Sequence, residues 1–143
     1  MATLHDEIKR MVERHICAKL SFAVPGQRFL SMLGGAEVED GDESDLEPPF
    51  TVVMVNEATK VLEGQGLWEI KGNVKVVTHM NEMTPSEHSE FARTIYHALT
   101  AIVPDRTDRM IMHGFDIATS DHGEDEGEQA RIETFAFTAG VSG

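Results

Sequence analysis

The sequence predicts an α+β fold in which helices pack on one face of a mainly antiparallel four-stranded sheet, in the order α-β-β-α-β-β. Three observations support it: apolar residues at helical spacing near the start, a strong helix-start motif in the middle, and alternating apolar and polar residues around that motif. A chain of 143 residues fits one domain with one core. We therefore expect a single domain over 1–143, with acidic loop insertions at about 34–49 and 119–129.

The first helix is expected over about residues 3–20. Residues that can share one buried face recur there at three- and four-residue steps: Leu4, Ile8, Met11, Val12 and His15. The segment 21–33 is ambiguous, because Pro25-Gly26 breaks the pattern and the apolar residues within 29–33 suit either a short helical turn or an extended piece.

Four extended segments are expected, two before and two after the second helix. Residues 50–55 are mostly apolar, as in a strand covered on both faces or lying at an interface. Residues 67–79 alternate between apolar and polar, and the glycines at 64 and 66 would permit an antiparallel hairpin between these two strands. The third and fourth segments are expected at 110–117 and 131–138.

The second helix has a strong start signal in Thr84-Pro85-Ser86-Glu87. Thr84 can accept a hydrogen bond from the Glu87 amide, the Glu87 carboxylate can reach back, and proline suits the first helical position. Pro104 stops the run. The apolar face of this helix is predicted to contain Phe91, Ile95, Ala98, Leu99 and Ile102.

Composition argues against two classes of partner. The net charge is −13, and 12 of the 25 acidic residues fall within 37–47 and 121–128, so the rest of the chain is nearly neutral. There is no basic stripe of the kind that binds nucleic acid backbone. The acidic stretches suit solvated loops, or surfaces that repel DNA or meet a basic partner. No apolar run reaches the roughly 20 residues needed to cross a bilayer, so we expect a soluble, unexported protein without membrane contact.

Residue chemistry indicates no catalytic, cofactor-binding or metal-binding residues. The single cysteine, Cys17, rules out an intramolecular disulfide and a cysteine-only zinc site. His88 and His97 fall on opposite sides of their helix, and a satisfied, partly buried histidine is the favoured interpretation of His88. A calcium-loop-like start at residue 40 lacks the required glycine and glutamate, and Gly64-Gln65-Gly66 is too weak to imply a nucleotide.

A different class of function stays open. A small α+β enzyme, or a metal- or ligand-binding domain, would place His79, His113 and Asp116 around a pocket on the sheet. A bend at Gly114 accounts for the His113-Gly114-Phe115-Asp116 stretch without a metal. Fold alone does not exclude this class, because one fold supports many functions.

The stretch from Pro49 to Ala139 resembles the bacteriophage tail-terminator and tail-completion proteins, small α+β subunits that form rings at the top of a tail tube. The similar segments are Pro49-Phe50-Thr51-Val52, Gly66-Leu67-Trp68-Glu69-Ile70, Val74-Lys75-Val76-Val77-Thr78-His79, the helix over 84–102, and 131–140. The first helix also matches the usual N-terminal helix of that family. The acidic insertion at 36–47 departs from its usual short connection.

The resemblance implies a structural virion protein that catalyses no reaction. Copies would form a hexameric ring that caps the finished tail tube, stops its polymerisation and provides the joining surface for the head. The implied partners are the tail tube protein and a head–tail connector or neck protein, with phage DNA passing through without specific binding. The implied location is the virion, at the tail or neck, after assembly in the host cytoplasm. A head-completion protein of the same neck is an alternative.

Ring contacts would use strand edges and helix flanks, closing by rotation. Five residues are candidates for the subunit interface because they are apolar at positions that a single helical layer need not cover: Phe50, Val53, Val55, Phe135 and Phe137. A second core layer within one chain is the alternative for the same residues.

Overall fold

A computed structural model describes residues 4–32, 49–62, 66–107 and 110–142. The two predicted helices are present as α1 (Leu4–Ala23) and α2 (Pro85–Thr100). The strands are β1 (Phe29–Ser31), β2 (Phe50–Leu62), β3 (Leu67–His79), β4 (Asp105–Arg106), β5 (Ile111–Asp125) and β6 (Ala130–Ser142). Within the described ranges, no helix is both long and apolar enough to span a bilayer. Apart from residue 49, the acidic loop expected at about 34–49 lies outside these ranges.

The strands form one sheet in the order β1-β2-β3-β6-β5-β4, which curls into a half-barrel. β1 and β2 are parallel, whereas every other neighbouring pair is antiparallel. The prediction of a mainly antiparallel four-stranded sheet in the order α-β-β-α-β-β is therefore wrong, because the sheet is mixed and has six strands. The two additional strands, β1 and β4, have three and two residues, which is too short for periodicity to reveal them.

The β5–β6 hairpin also differs from the expected loop at 119–129. β5 continues to Asp125 and pairs with β6 as far as Ala130, so only residues 126–129 form the turn. Pairing with β6 satisfies the backbone of this acidic segment, and its exposed side chains need no apolar partner. The acidic residues therefore extend along a projecting hairpin.

The main core lies between the two helices and one face of the sheet. Its members include Ile8, Val12, Ile16 and Leu20 from α1, Ile95 and Leu99 from α2, and Trp68, Ile70, Val74, Val76, Phe135, Phe137 and Val141 from the sheet. Strand side chains alternate between faces, so the neighbouring residues form a smaller cluster on the other face: Leu30, Phe50, Val52, Val77 and Ala130.

Gly72 allows the sheet to pack closely at a bulge in β2. It pairs with Val55, where the β2–β3 register shifts before Glu57. A Cβ at this position would lie less than 3.0 Å from the Met54 carbonyl oxygen and 2.6 Å from Phe137 Cζ. Only glycine fits here without displacing backbone.

Candidate functional site

Three ionisable side chains from three elements meet beneath the first turn of α2. His88 belongs to that turn, while His122 on β5 and Glu133 on β6 are directly opposed in the hairpin. Each offers one nitrogen or oxygen atom, and these atoms all lie within 4.8 Å of one another. We call these three residues the His–His–Glu cluster.

The start of α2 fixes the position of His88. Thr84 is the N-cap: its Oγ1 accepts from the Glu87 amide at 3.2 Å, and the Glu87 carboxylate accepts from the Thr84 amide at 3.1 Å. The His88 ring is buried, and its Nδ1 is hydrogen-bonded at 2.6 Å to Oγ1 of Thr78, a buried residue of β3. The predicted capping box therefore also orients one imidazole of the cluster.

Within the cluster, the Glu133 carboxylate contacts both imidazoles. Its Oε1 lies 3.2 Å from His88 Nε2 and is also hydrogen-bonded to His122 Nδ1. The other nitrogen of His122, Nε2, lies 3.6 Å from Glu124 Oε1. The hydrogen bond to Glu133 is the main cause that raises the pKa of His122 above its ordinary value, and burial acts in the opposite direction.

One side of the cluster is open. The His88 side chain is 1% exposed, whereas that of Glu133 is 19% exposed and that of His122 is 48% exposed. A groove of about 420 Å³ reaches Glu133 between α2 and the hairpin. The groove is lined by Ser89, Ala92, Arg93, Tyr96, Ser120, Glu133 and Phe135.

Sequence reasoning missed His122 and Glu133 because their meeting depends on the register of β5 against β6. Residues 119–129 were expected to form a loop, which gave His122 no fixed neighbour. The sequence does contain a usable signal. Glu133 lies two residues before Phe135 in the same strand, so both side chains are on the face that the helices cover. The sequence predicts a satisfied, partly buried histidine at His88, and the structure buries this ring with a hydrogen bond to Thr78.

The alternative pocket is not assembled from its three expected residues. His113 and Asp116 line a shallow groove of about 510 Å³ on the sheet. His79 is paired with Ala130 at the other end of β6, roughly 30 Å along the strand from Gly140, which lines that groove. His113 Nε2 is instead hydrogen-bonded to Ser142 Oγ at 2.8 Å.

The five predicted interface residues are all buried within one chain. Val53, Val55, Phe135 and Phe137 belong to the main core, and Phe50 belongs to the smaller cluster. Their burial accounts for their apolar character without a neighbouring subunit. Their role in a subunit interface stays a prediction.

A second set of polar side chains lies around α1, and three of them are buried: Glu13, His15 and Ser31. The fully buried Glu13 accepts from Ser31 Oγ at 2.6 Å and from the Val55 amide at 2.8 Å, which ties α1 to β1 and to the β2 bulge. His15 lies 3.9 Å from Asp105, which is paired with Lys19. Burial lowers the pKa of His15, and the Lys19 charge acts in the same direction. We define the α1 polar set as these five residues: Glu13, His15, Lys19, Ser31 and Asp105.

Comparison with known proteins identifies the fold. No family model and no curated protein matches the chain. Among solved structures, a chain from the virion of a native gene transfer agent particle is similar, with a TM-score of 0.58 and 14% identity. The match covers 97% of this chain and 96% of that chain. At this identity the similarity shows a shared fold, and it extends over the whole described architecture.

Proposed function

We propose that this protein is a structural subunit of a phage-like virion, and specifically a tail terminator. In that role it caps the tail tube, stops its polymerisation and forms the joining surface for the head. The observation that carries the proposal is the fold shared with a gene transfer agent virion chain over 97% of this chain and 96% of the other. The resemblance of 49–139 to tail-terminator and tail-completion proteins supports the specific role.

The two ends of the sheet suit a ring. A closed ring of identical subunits needs two different surfaces on each subunit that fit one another. The sheet ends at β1 on one side and at β4 and β5 on the other. In the described part of the chain, β4 pairs only with Ile111 and Met112, which leaves the rest of that edge of β5 for contacts with a neighbour.

The charge of the protein suits a DNA conduit. With a net charge of −13, the surface does not favour tight contacts with phosphates, so DNA can pass without specific binding. The function is then mechanical: the protein docks copies of itself, the tail tube protein and a connector or neck protein, and catalyses no reaction. Its location is the virion tail or neck, after assembly in the host cytoplasm.

The first test is the mass of the protein in solution, measured by light scattering after size exclusion. A hexameric ring of the 15.8 kDa chain has a mass of about 95 kDa. Phe22, 89% exposed in the last turn of α1, lies on the helix that packs beside β1. We expect Phe22→Ser to shift the mass toward the monomer, while Val103→Ser, at another exposed apolar residue, leaves it unchanged.

The second test separates the tail role from other neck roles. Purified protein is mixed with isolated tail tubes or with isolated filled heads, and bound particles are counted by electron microscopy. Binding to tube ends, with growth arrested, supports a terminator. Binding to heads alone favours a head-completion protein. A monomer that binds neither contradicts a virion role and favours a small ligand-binding domain.

A further inference from the structure

We propose that the His–His–Glu cluster binds one zinc ion, which ties α2 to the β5–β6 hairpin. The ligands would be His88 Nε2, His122 Nδ1 and Glu133 Oε1, with a water molecule completing the coordination. These residues come from three elements, so the metal would act as a cross-link between parts of the fold that are distant in sequence. This inference does not depend on the virion role.

The ligand atoms match zinc in type, and one of their separations matches the spacing of zinc ligands. Two imidazole nitrogens and one carboxylate oxygen are a set that zinc accepts, whereas calcium and magnesium prefer oxygen ligands alone. Ligands at the usual zinc distances in a tetrahedral site lie roughly 3.3 Å from one another. The separation of His88 Nε2 and Glu133 Oε1 is 3.2 Å.

The surroundings orient the buried ligand. When His88 Nδ1 donates to Thr78 Oγ1, across their 2.6 Å contact, Nε2 keeps its lone pair facing the cluster. A hydrogen bond from the second ring nitrogen to a fixed acceptor is the usual partner of a metal-binding histidine. The capping box at Thr84 holds the backbone of the same turn. One ligand is therefore positioned before any metal arrives.

The acidic residues around the cluster and the groove that reaches it also favour binding of a cation. Glu124 lies 3.6 Å from the His122 ring, and Asp121, Asp125, Glu126 and Glu128 lie on the same hairpin. Arg131 partly offsets this charge, but its Nη1 donates to the Met83 carbonyl oxygen at 2.6 Å, and its Nε lies 3.9 Å from Glu124. The groove of about 420 Å³ that reaches Glu133 has room for the metal-bound water.

The test uses the full-length protein without a histidine tag, treated with chelator, dialysed and titrated with zinc chloride in a calorimeter. We expect saturation at one zinc per chain and a rise in the thermal unfolding midpoint, because a ligand that binds the folded state stabilises it. Cobalt(II) in place of zinc should give the visible absorption of a tetrahedral site. His122→Gln and Glu133→Gln should each raise the zinc dissociation constant at least about tenfold.

Two variants are matched controls. His97→Gln removes an exposed histidine from the same helix, and His113→Gln removes an exposed histidine from the same strand as His122. Both should bind zinc as the unmodified protein does. His122 is half-exposed, so its variant should fold, which circular dichroism verifies. The proposal is overturned if no saturable binding occurs, if both ligand variants bind normally, or if either control loses binding as strongly as they do.

Discussion

The α1 polar set and the His–His–Glu cluster both contain glutamate and histidine, but their glutamates have different partners. Each places a carboxylate and at least one imidazole beneath a helix. Under α1, Glu13 accepts hydrogen bonds from a hydroxyl and from a backbone amide, and His15 lies instead near Lys19 and Asp105. Under α2, Glu133 is contacted by two imidazoles and is reached by a groove.

This difference separates structural polar groups from a candidate site. A carboxylate that accepts hydrogen bonds inside the protein has its hydrogen-bonding capacity used by the fold, and a cation would have to displace those donors. A carboxylate beside two imidazoles can exchange protons for a metal without breaking the backbone pairing around it. Burial of a glutamate is therefore less informative than the identity of its partners.

The largest expected effect is at Glu13. Glu13→Ala leaves the Ser31 hydroxyl and the Val55 amide without this acceptor in a buried place, and it opens a cavity under α1. We expect a loss of about 3 kcal/mol in the free energy of unfolding, measured with denaturant. Glu7→Ala, at an exposed position of the same helix, should change it by less than about 0.5 kcal/mol. Equal effects at both positions would remove the structural role assigned to Glu13.

The next effect tests the bulge that presents the Val55 amide to Glu13. Gly72→Ala would place a Cβ against the Met54 carbonyl oxygen and the Phe137 ring, which forces backbone to move. We expect a loss of about 2 kcal/mol in the free energy of unfolding. Gly140→Ala is the matched control in the neighbouring strand, because a Cβ there meets nothing within 4 Å. If Gly72→Ala is as well tolerated as its control, the packing at the bulge is looser than described.

A smaller loss of stability is expected when the carboxylate of the His–His–Glu cluster, Glu133, is removed in the presence of chelator. Glu133→Ala removes a partner from buried His88 and from half-exposed His122, and solvent can replace the second contact. We expect a loss of about 1 kcal/mol in the free energy of unfolding, roughly a third of the Glu13→Ala effect. Zinc should increase the difference in the free energy of unfolding between Glu133→Ala and the unmodified protein, because only the unmodified protein retains the full ligand set. A loss as large as that of Glu13→Ala would make Glu133 a structural residue of the same kind.

The elements that sequence patterns predicted are those with a local signal. Thr84 and Glu87 mark the start of α2 because their capping hydrogen bonds form within one turn of the helix. β3 alternates because one of its faces meets the core. β1 and β4 carry no such signal, because strands of three and two residues are defined by the backbones beside them.

Only part of the candidate site can be predicted from the sequence, for the same reason. Helical spacing alone predicts that His88 lies on or beside the apolar face of α2. The partners of His88 lie 34 and 45 residues further along the chain, and they meet only through the β5–β6 register. Hydrophobic periodicity does not report the extension of β5 through 119–125, because the side chains there are polar and exposed on both faces.

The smallest expected effect is the pH dependence of stability that His15 of the α1 polar set contributes. Burial and Lys19 lower the pKa of His15 below its ordinary value of 6.5, while Asp105 opposes them. The unfolded chain therefore binds a proton more readily, so the contribution of His15 to stability is complete above pH 6.5 and is lost as the pH falls toward the folded-state pKa. Asp105, whose pKa is lowered chiefly by its hydrogen bond with Lys19, titrates below its ordinary value of 3.8, outside that window.

Thermal unfolding with chelator, between about pH 7.5 and about pH 5.5, isolates this contribution. Relative to His15→Gln, which cannot gain the proton, the unfolding midpoint of the unmodified protein should fall as the pH is lowered. Asp105→Asn removes the charge that raises the pKa of His15, so its midpoint should fall more steeply still. Apart from residues 15 and 105, the three proteins contain the same ionisable groups, so differences between the curves report the protonation of His15. Parallel curves would mean that the His15 ring has water access when folded, and the contrast between the buried His15 and the half-exposed His122 would then fail.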